Sequence, residues 1–442
     1  MDDHPPDPDP SAVVILRRPD GEIYLVRRPR SASFFPGFHA FPGGGVEPED
    51  EAEDQLATLR ACAARELREE TRVEVSPDEL APAGVVVTPP FSPIRYRTQF
   101  FLADVDAACE PEPSEPELAG GSWTTPAAAI EGWEAGEVKL PPPVIHTLEL
   151  LADDGPQAVR ARGTEVDSFP ITFLPGLRVE PLETSTLPPH THTNAFVVGE
   201  DELAVVDPGA GPPELDPLLD ALDALETDAE DLAYVALTHH HGDHVGGVQA
   251  LLEEFDAELA CSPATAERIE PEADVLLAEG DELDLGEHAL VALETPGHAP
   301  GHLAFHVPQA RAVLPGDLVA GIGTVLVDPD EGDMAAYMDS LARMADLCED
   351  EGVRLAFPAH GPPVFGPGQT FRDTLEHRRE REVEVLDAVE AGARQLPAIA
   401  RRAYEDKPKA PTQLTHASTR AHLAKLVDDG AVTVDGDRWE PG

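Results

Sequence analysis

Residues 238–244, Thr-His-His-His-Gly-Asp-His, constrain this chain more than any other segment. They follow the apolar run Leu232–Leu237, which predicts a buried strand, and they precede a glycine pair and a helical pattern. A solvated histidine cluster requires neither the strand before it nor the glycines after it. The pattern therefore predicts a turn between a strand and a helix that presents several metal-binding side chains.

The order of residues within this turn predicts two ion sites. His239 and His241 alternate, so their imidazoles can converge on one ion, whereas Asp243 and His244 can serve a second ion. Neutral imidazole and carboxylate groups are ligands that suit zinc, manganese or iron.

Three later motifs each place one further ligand after an apolar run. They are Thr295-Pro-Gly-His298, Leu314-Pro-Gly-Asp317 and Phe357-Pro-Ala-His360. Each motif predicts a strand, a turn and one ligand at the end of the strand. The sequence thus predicts a layered sheet structure whose loops present the ligands.

Taken together, these elements resemble the metallo-beta-lactamase fold, with His-x-His-x-Asp-His followed by single His, Asp and His residues, over roughly residues 165–370. The resemblance implies a four-layer αββα sandwich that holds two zinc ions, or manganese or iron, and activates a bridging water. The implied ligands are His239, His241 and His298 for the first ion, Asp243, His244 and His360 for the second, and Asp317 as a bridge. Asp243 is also the implied catalytic residue of this site.

Other polar residues near these motifs are predicted to lie outside the ligand set. Asp207 stands at a strand end, and we expect it, like His302, to support a ligand rather than to bind metal. His190 and His192 are predicted to be loop histidines.

The N-terminal part of the chain contains a second cluster of chemically active residues. A glycine-rich stretch, residues 33–47, precedes a helical pattern at Leu56–Thr71. Glu66, Glu69 and Glu70 are spaced i, i+3, i+4, which places them on one face of that helix. Three like charges on one face repel one another unless cations lie among them. The glycine-rich stretch and the order Arg-Glu-Leu-x-Glu-Glu favour a functional site over a solvated acidic helix.

Residues 1–155 resemble the Nudix family, whose motif is Gly-x5-Glu-x7-Arg-Glu-U-x-Glu-Glu-x-Gly-U, where U is a bulky aliphatic residue. The resemblance implies that the three glutamates bind magnesium or manganese, that Arg65 orients them, and that Gly44 opens the motif. Glu69, Glu70 and Arg65 are its implied catalytic residues. The sequence around the motif is similar to the sequences of the Nudix subgroup that includes coenzyme A diphosphatases.

Two departures from the Nudix motif are visible. Arg72 stands where the family has its late glycine, and Gly44 and Arg65 are 21 positions apart instead of the family's 14. The motif's loop glutamate therefore has no clear counterpart. Glu115 and Glu117 are candidates for a further carboxylate at this site.

The end of the chain predicts a small third domain. Residues 371–442 contain helical patterns followed by a short strand pattern, which resembles the winged-helix tail of the beta-lactamase-like protein 2 group. That group includes single-stranded-RNA endonucleases, but winged modules also serve packing and dimerisation. The polar segment 153–164 is predicted to be an irregular linker between the first two domains.

The composition restricts the partners and the compartment. The chain has 85 acidic and 31 basic residues among 442, a formal net charge of -54, and a field this negative repels nucleic acids and anionic membranes at low salt. The four cysteines form no close pair, no apolar run reaches membrane-span length, and the first ten residues lack the features of a signal peptide. We therefore expect a cytoplasmic protein that is adapted to high salt and does not bind membranes.

Salt adaptation leads to a testable prediction. Repulsion among the excess carboxylates should weaken the fold in dilute buffer, and screening should relieve that repulsion as salt is added. We expect the melting temperature to rise from dilute buffer to molar potassium chloride. A melting temperature that is flat or falls over this range would contradict salt adaptation.

The sequence as a whole predicts a mixed α/β (α+β) chain with three domains, at 1–155, 165–370 and 371–442. Its predicted function is that of a bifunctional hydrolase, which acts on a nucleoside diphosphate or coenzyme A derivative at the first site. The second site is predicted to act on a thioester, ester or phosphodiester. Three alternatives remain open: a single-stranded-RNA endonuclease, a mononuclear iron sulfur oxygenase, and a Nudix-like domain that binds a nucleotide without cleaving it.

Overall fold

A computed structural model describes residues 7–32, 35–166, 169–225 and 231–442. Two parts of the chain that carry predictions lie outside the described residues. They are residues 1–6, within the N-terminal segment that lacks signal-peptide features, and Ser33 and Phe34, at the start of the glycine-rich stretch. The described residues group into two compact units, one that ends at Val179 and one that begins at Glu180.

The first unit contains nine strands and four helices among its described residues. The strands are β1 (Asp9–Arg17), β2 (Ile23–Arg27), β3 (His39–Ala40), β4 (Gly43–Gly45), β5 (Ala81–Val87), β6 (Tyr96–Asp104), β7 (Gly121–Thr124), β8 (Gly163–Val166) and β9 (Thr172–Leu174). The helices are α1 (Gln55–Thr71), α2 (Pro126–Glu134), α3 (Pro142–Asp153) and α4 (Pro156–Ala161).

Eight of these strands form one mixed sheet that is covered by helices on both faces. Its order is β3-β2-β1-β6-β5-β8, with β4 and β7 paired to β1 and β2. Because side chains alternate along a strand, Phe101 of β6 packs under α1 with Leu67, whereas Phe100 packs on the opposite face with Leu148 of α3. The result is an α/β/α sandwich, which is the fold that the resemblance to the Nudix family implies.

Helix α1 begins and ends with defined caps. The side chain of Asp54 accepts a hydrogen bond from the backbone N–H of Ala57, which satisfies one of the free donors of the first turn. At the other end, Arg72 adopts the left-handed conformation with φ 59°. The backbone thus keeps the conformation that favours glycine, although arginine stands at this position.

This strained cap predicts a stabilising substitution. Arg72→Gly should raise the free energy of unfolding of the first unit by about 0.5–1 kcal/mol, because glycine adopts a positive φ without steric cost. The exposed Arg72–Glu112 ion pair that would be lost, at 3.5 Å, contributes little. Arg68→Gly, the same change inside the helix, should instead destabilise by about 1 kcal/mol. Equal losses in the two variants, measured by denaturant unfolding, would contradict the cap argument.

Residues 153–164, predicted to be an irregular linker, contain regular secondary structure. Residues 156–161 form α4, and β8 pairs in parallel with β5 at the edge of the sheet. Val159 of α4 is fully buried in the same core as Leu148, so the segment completes the first unit. The apolar pattern around Val159 is too short to stand out from its polar neighbours in the sequence.

The second unit contains the remaining strands and helices, and β10 spans the boundary between the units. The strands are β10 (Leu177–Glu183), β11 (His192–Gly199), β12 (Leu203–Val206), β13 (Leu232–Ala236), β14 (Glu258–Cys261), β15 (Val275–Leu276), β16 (Glu282–Leu285), β17 (His288–Glu294), β18 (Leu303–Val307), β19 (Ala312–Leu314), β20 (Leu355–Ala356), β21 (Val364–Phe365), β22 (Val432–Asp435) and β23 (Arg438–Pro441). The helices are α5 (Asp216–Asp223), α6 (Gly242–Val245), α7 (Val248–Glu254), α8 (Pro263–Ala266), α9 (Met334–Asp350), α10 (Pro367–Glu390), α11 (Leu396–Ala403) and α12 (Thr412–Asp428).

Two sheets of this unit lie between two layers of helices. One sheet runs β15-β14-β13-β12-β11-β10 and packs its outer face on α5 and α7, and the other runs from β16 to β21 in order and packs on α9 and α10. The rings of Phe196 in β11 and Phe357 after β20 meet edge to face at 6.4 Å, which joins the inner faces. This is the predicted αββα arrangement.

Residues 371–442 pack into the same compact unit as the two sheets. The predicted boundary at 370/371 falls inside α10, whose first half contributes Phe371 to the core under the second sheet. Its second half contributes Val385 to a smaller core with α11, α12 and the hairpin β22–β23. None of the helices in the described ranges is long and apolar enough to span a membrane.

Candidate metal centres

Three imidazole nitrogens from two loops converge in the second unit. Nδ1 of His241 lies 2.9 Å from Nε2 of His239 and 3.1 Å from Nε2 of His298. Nitrogens bound to one tetrahedral zinc ion, with bonds of about 2.0–2.1 Å, lie about 3.4 Å apart. The trio is therefore close to the spacing that one ion requires.

A second donor group lies beside the first, and Asp317 faces both. Its Oδ2 is 3.6 Å from Nε2 of His298, whereas its Oδ1 is 3.4 Å from Nε2 of His360 and 3.8 Å from Nε2 of His244. Asp243 Oδ2 lies 3.6 Å from the same nitrogen of His360. The structure thus brings together all seven residues that the sequence analysis assigns to this site.

The outer nitrogens of these histidines are held by fixed acceptors. Nδ1 of His244 pairs with Oδ2 of Asp207 at 2.9 Å, and Nδ1 of His298 and of His360 face the carbonyl oxygens of Leu326 and His192 at 2.9 and 3.1 Å. Such contacts set the tautomer that leaves the other nitrogen free to bind metal. Burial lowers the pKa of His298 to about 4, which keeps that imidazole neutral and able to bind a cation.

Asp207 and His302 hold residues of the site by hydrogen bonds, which is the supporting role that the sequence predicts. Asp207 accepts hydrogen bonds from the backbone and hydroxyl of Thr238 at 2.8 and 2.7 Å. Nε2 of His302 accepts the backbone N–H of Asp317 at 3.1 Å. Gly316 has a φ of +51°, and a Cβ there would lie 2.7 Å from Nε2 of His302, so the turn that carries Asp317 requires glycine.

His190 and His192 lie near the site without joining the donor groups. The ring of His190 stacks on that of His360 at 5.2 Å, and its pKa is lowered to about 4 by burial and by His360. His192 contributes its carbonyl oxygen to His360. His192 is the first residue of β11, so the prediction that it lies in a loop is wrong. That neither residue binds metal stays a prediction.

Glu331 is a contact of this site that the sequence analysis missed. Its Oε1 lies 2.7 Å from Nε2 of His241, and its Oε2 lies 3.3 Å from Nε2 of His240. The carboxylate therefore holds His241 by the nitrogen that faces away from the trio. Glu331 follows no strand and belongs to no spaced motif, so no sequence signal distinguished it from the many other acidic residues.

The donor set fits divalent metal ions. Nε2 of His244 and Oδ1 of Asp317 are buried and have no hydrogen-bond partner among the described residues. Buried polar atoms that are left without partners cost free energy, and bound cations would satisfy both. The mixture of imidazole and carboxylate groups suits zinc, manganese or iron.

In the first unit, the glutamates of α1 lie against the glycine-rich strand β4. Oε2 of Glu70 accepts the backbone N–H of Gly43 at 2.9 Å. A Cβ on Gly44 would lie 2.5 Å from Oε1 of Glu66, so glycine is needed there for the carboxylate to approach. Burial, followed by the charge of Glu66, raises the pKa of Glu70 to about 7 in spite of the Gly43 hydrogen bond.

The guanidinium of Arg65 contacts three carboxylates of this cluster. Its Nη1 donates to Glu66 at 2.9 Å and to Glu69 at 3.2 Å, while Nε and Nη2 donate to the two oxygens of Asp50 at 2.9 Å each. The guanidinium thus lies between Asp50 on one side and two of the three predicted metal-binding glutamates on the other. Burial alone would raise the pKa of Asp50, but the Arg65 contacts hold it below its usual value.

Asp50 corrects the sequence analysis, which found no counterpart of the motif's loop glutamate. It lies six positions after Gly44, the spacing that the motif Gly-x5-Glu requires, with aspartate in place of glutamate. The seven-residue insertion therefore lies between Asp50 and Arg65. The spacing from Gly44 marks Asp50, whereas the longer interval from Gly44 to Arg65 conceals it because that interval contains the insertion.

The two candidates for a further carboxylate differ in their relation to the cluster. The charge of Glu117 contributes to the raised pKa of Glu70, after burial and the charge of Glu66. Glu117 is therefore the better candidate of the two.

Comparison with known proteins agrees with both sites. Residues 188–360 match the model of the metallo-beta-lactamase superfamily, and residues 7–146 match that of the NUDIX domain. The chain is 41% identical over 239 residues to a hydroxyacylglutathione hydrolase of Cereibacter sphaeroides, which covers 53% of this chain and 84% of that protein. It is 27% identical to a beta-lactamase-like protein 2 homolog of Caenorhabditis elegans, over 54% of this chain and 80% of that protein.

A lactamase-like protein, aptB of Emericella nidulans, is 34% identical over 45% of this chain, and the match spans 60% of the length of that protein. Layered sheets with histidine and aspartate clusters at their loops define a metal-dependent hydrolase fold. The chain belongs to the metallo-beta-lactamase superfamily and carries a NUDIX domain ahead of that fold. Both are families of hydrolases that use divalent metal ions.

Proposed function

We propose that this chain is a bifunctional hydrolase with one metal centre in each unit. The observation that carries the proposal is the placement of Asp317, whose two carboxylate oxygens face two separate donor groups. This placement supports a binuclear site with His239, His241 and His298 on one side and Asp243, His244 and His360 on the other. A mononuclear iron site would leave the second group without a role.

The residues of the site in the second unit would have separate roles in binding metal, orienting the ligands and positioning water. The six ligands and Asp317 would hold two zinc, manganese or iron ions, and Asp207 and Glu331 would fix the orientation of His244 and His241. When bound, such ions supply Lewis acidity and activate water as a nucleophile. Asp243, at the open face of the site, would position that water. The proposed substrate is a thioester, ester or phosphodiester.

The first unit is proposed to hydrolyse a diphosphate, either a nucleoside diphosphate or a coenzyme A derivative. Glu66, Glu69 and Glu70 would bind magnesium or manganese, which neutralises phosphate charge and positions water. Arg65, clamped by Asp50, would hold the carboxylates of Glu66 and Glu69 in place. Support comes from the intact glutamate cluster, which also disfavours a module that only senses a nucleotide.

The metal content tests the second site directly. We expect about two transition-metal ions per chain, because the two donor groups share one bridging carboxylate. Elemental analysis of the purified chain measures this number, and a substrate panel with magnesium or zinc then assigns the reactions. A single iron ion, together with activity that depends on oxygen, would contradict the hydrolase proposal.

A further inference from the structure

Two of the proposed histidine ligands lie on turns of the same construction. His298 ends the turn after β17, and His360 ends the turn after β20. In each turn a proline stands two positions before the histidine, and its carbonyl oxygen accepts a hydrogen bond from a buried side chain. Because proline already fixes its own φ, a held carbonyl also restricts the direction in which the chain continues toward the histidine.

The turn of His298 is held by the start of α9. Ser340, which is buried in the second turn of that helix, donates through Oγ to the carbonyl oxygen of Pro296 at 2.8 Å. The backbone N–H of Asp333, directly before α9, donates to the carbonyl oxygen of Gly297 at 2.8 Å. Both peptide carbonyls ahead of His298 are thus bonded to one helix end.

The same turn also packs directly on the backbone of α9. Gly297 has a φ of +128°, and a Cβ there would lie 2.2 Å from the backbone nitrogen of Tyr337. Glycine is therefore required for the turn to approach the helix this closely.

The imidazole of His298 is oriented from a second direction by α10. Its Nδ1 faces the carbonyl oxygen of Leu326 at 2.9 Å. The two residues before Leu326 are bonded to the buried Arg378, whose Nη2 donates to the hydroxyl of Thr324 at 2.8 Å and to the carbonyl of Val325. The position of His298 therefore depends on the two helices that cover the second sheet.

The turn of His360 is held by Asn194, a buried residue of β11. Its Nδ2 donates to the carbonyl oxygens of Pro358 and Gly361 at 2.9 Å each, and its backbone N–H donates to that of Ala359 at 2.7 Å. Both side-chain partners are carbonyl oxygens, so only the NH₂ group of the amide can face them. Asn194 thus fixes the turn on both sides of His360.

The remaining contacts of the second donor group come from the same sheet as Asn194. His192, also in β11, supplies the carbonyl oxygen that faces Nδ1 of His360, and Asp207, after β12, pairs with His244. The two donor groups are therefore held by different parts of the unit, the first from α9 and α10 and the second from β11 and β12.

We propose that Ser340 and Asn194 are positioning residues, each for one of the two ions. Ser340 would serve the ion of His239, His241 and His298, and Asn194 the ion of Asp243, His244 and His360. The inference rests on the proposed function, because it takes both donor groups to bind metal. Each side chain acts through a turn: it limits the orientations of one histidine before the ion arrives, which lowers the entropic cost of binding.

Zinc binding to the metal-free, full-length chain tests this proposal. Competition with a chromophoric chelator measures both affinities, with excess magnesium present to compete for the carboxylates of the first unit. Ser340→Ala should weaken the first ion by about 5-fold, and Asn194→Ala, which loses two side-chain hydrogen bonds, should weaken the second by about 10-fold. Each variant should leave the affinity for the other ion unchanged.

Reference variants assign each binding step to its donor group. His241→Ala removes a nitrogen of the first group, and His360→Ala removes one of the second, so each should lose one of the two steps. Titration with Co²⁺ adds a spectroscopic check, because the visible absorption of each bound cobalt ion reports its own donor set. Ser340→Ala should alter the same absorption bands as His241→Ala.

Ser418→Ala is the matched control. It removes a buried hydroxyl from the same unit, one that accepts a 2.7 Å hydrogen bond from Tyr404 and lies on α12. Both zinc affinities should be retained. If Asn194→Ala does not fold, Ser340→Ala, which loses only a hydroxyl, decides the proposal by itself.

The outcomes separate this inference from the proposed function. A general structural role would weaken both ions alike in each variant, and that result, or unchanged affinities, would overturn the inference. If the selective losses are found in a chain that cleaves no thioester, ester or phosphodiester, the positioning roles stand and the proposed hydrolase reaction fails. If such a substrate is cleaved while Ser340→Ala keeps both affinities, the reaction stands and the positioning role is rejected.

Discussion

Glu69→Gln should lower diphosphate hydrolysis by orders of magnitude and leave the second activity unchanged. The substitution keeps the size of the side chain and removes the charge that would hold a divalent ion. Glu69 is half-exposed near the end of α1, and within the described ranges it accepts a 3.2 Å hydrogen bond from Arg65 and forms a 3.7 Å surface ion pair with Arg68. The fold of the first unit should therefore not depend on it. The rate of diphosphate hydrolysis, measured with magnesium and with manganese, checks this expectation.

A matched control is available in the same unit. Glu74 is an exposed glutamate beyond the end of α1, and Glu74→Gln removes the same charge from the unit. We expect it to retain diphosphate hydrolysis, which would show that position, and not the total negative charge, decides the effect.

His241→Ala should remove the second activity together with part of the bound metal. The loss should exceed the 10- to 100-fold effect that removal of a supporting contact typically has, because His241 supplies a nitrogen to the trio itself. Its Nδ1 lies within 3.1 Å of both His239 and His298, so alanine leaves the first donor group with two nitrogens. Metal content and thioester hydrolysis should be measured on the same preparation.

His240→Ala provides the control for this experiment. His240 is adjacent in sequence and contacts Glu331, but its side chain does not contribute to the trio. We expect this variant to retain both ions, so that metal loss in His241→Ala can be attributed to the ligand position.

The two substitutions together test the independence of the sites. Each site lies in a compact unit with its own core, so the loss of one ligand should leave the other unit folded. If Glu69→Gln left diphosphate hydrolysis intact while His241→Ala abolished it, diphosphate chemistry would belong to the second unit. The first unit would then be better interpreted as a binding module.

Periodic patterns account for the parts of the structure that could be predicted. The membership of both families and the α/β class are confirmed, and the predicted helix at Leu56–Thr71 is present as α1. The strand that ends before His239 is β13, and the turns that carry His298 and Asp317 follow β17 and β19. The roles of the individual ligands, like the domain boundaries and the winged-helix tail, stay predictions.

The sequence by itself determined which side chains stand at strand ends, because alternation and turn residues are local properties of the chain. Only the tertiary structure decided which distant residues meet them. Glu331, 90 residues from His241, and Arg378, 54 residues from Thr324, reach their partners through packing of separate elements. Such contacts depend on how loops and helices pack, and in a chain with 85 acidic residues no local pattern marks Glu331 as a carboxylate that faces a ligand.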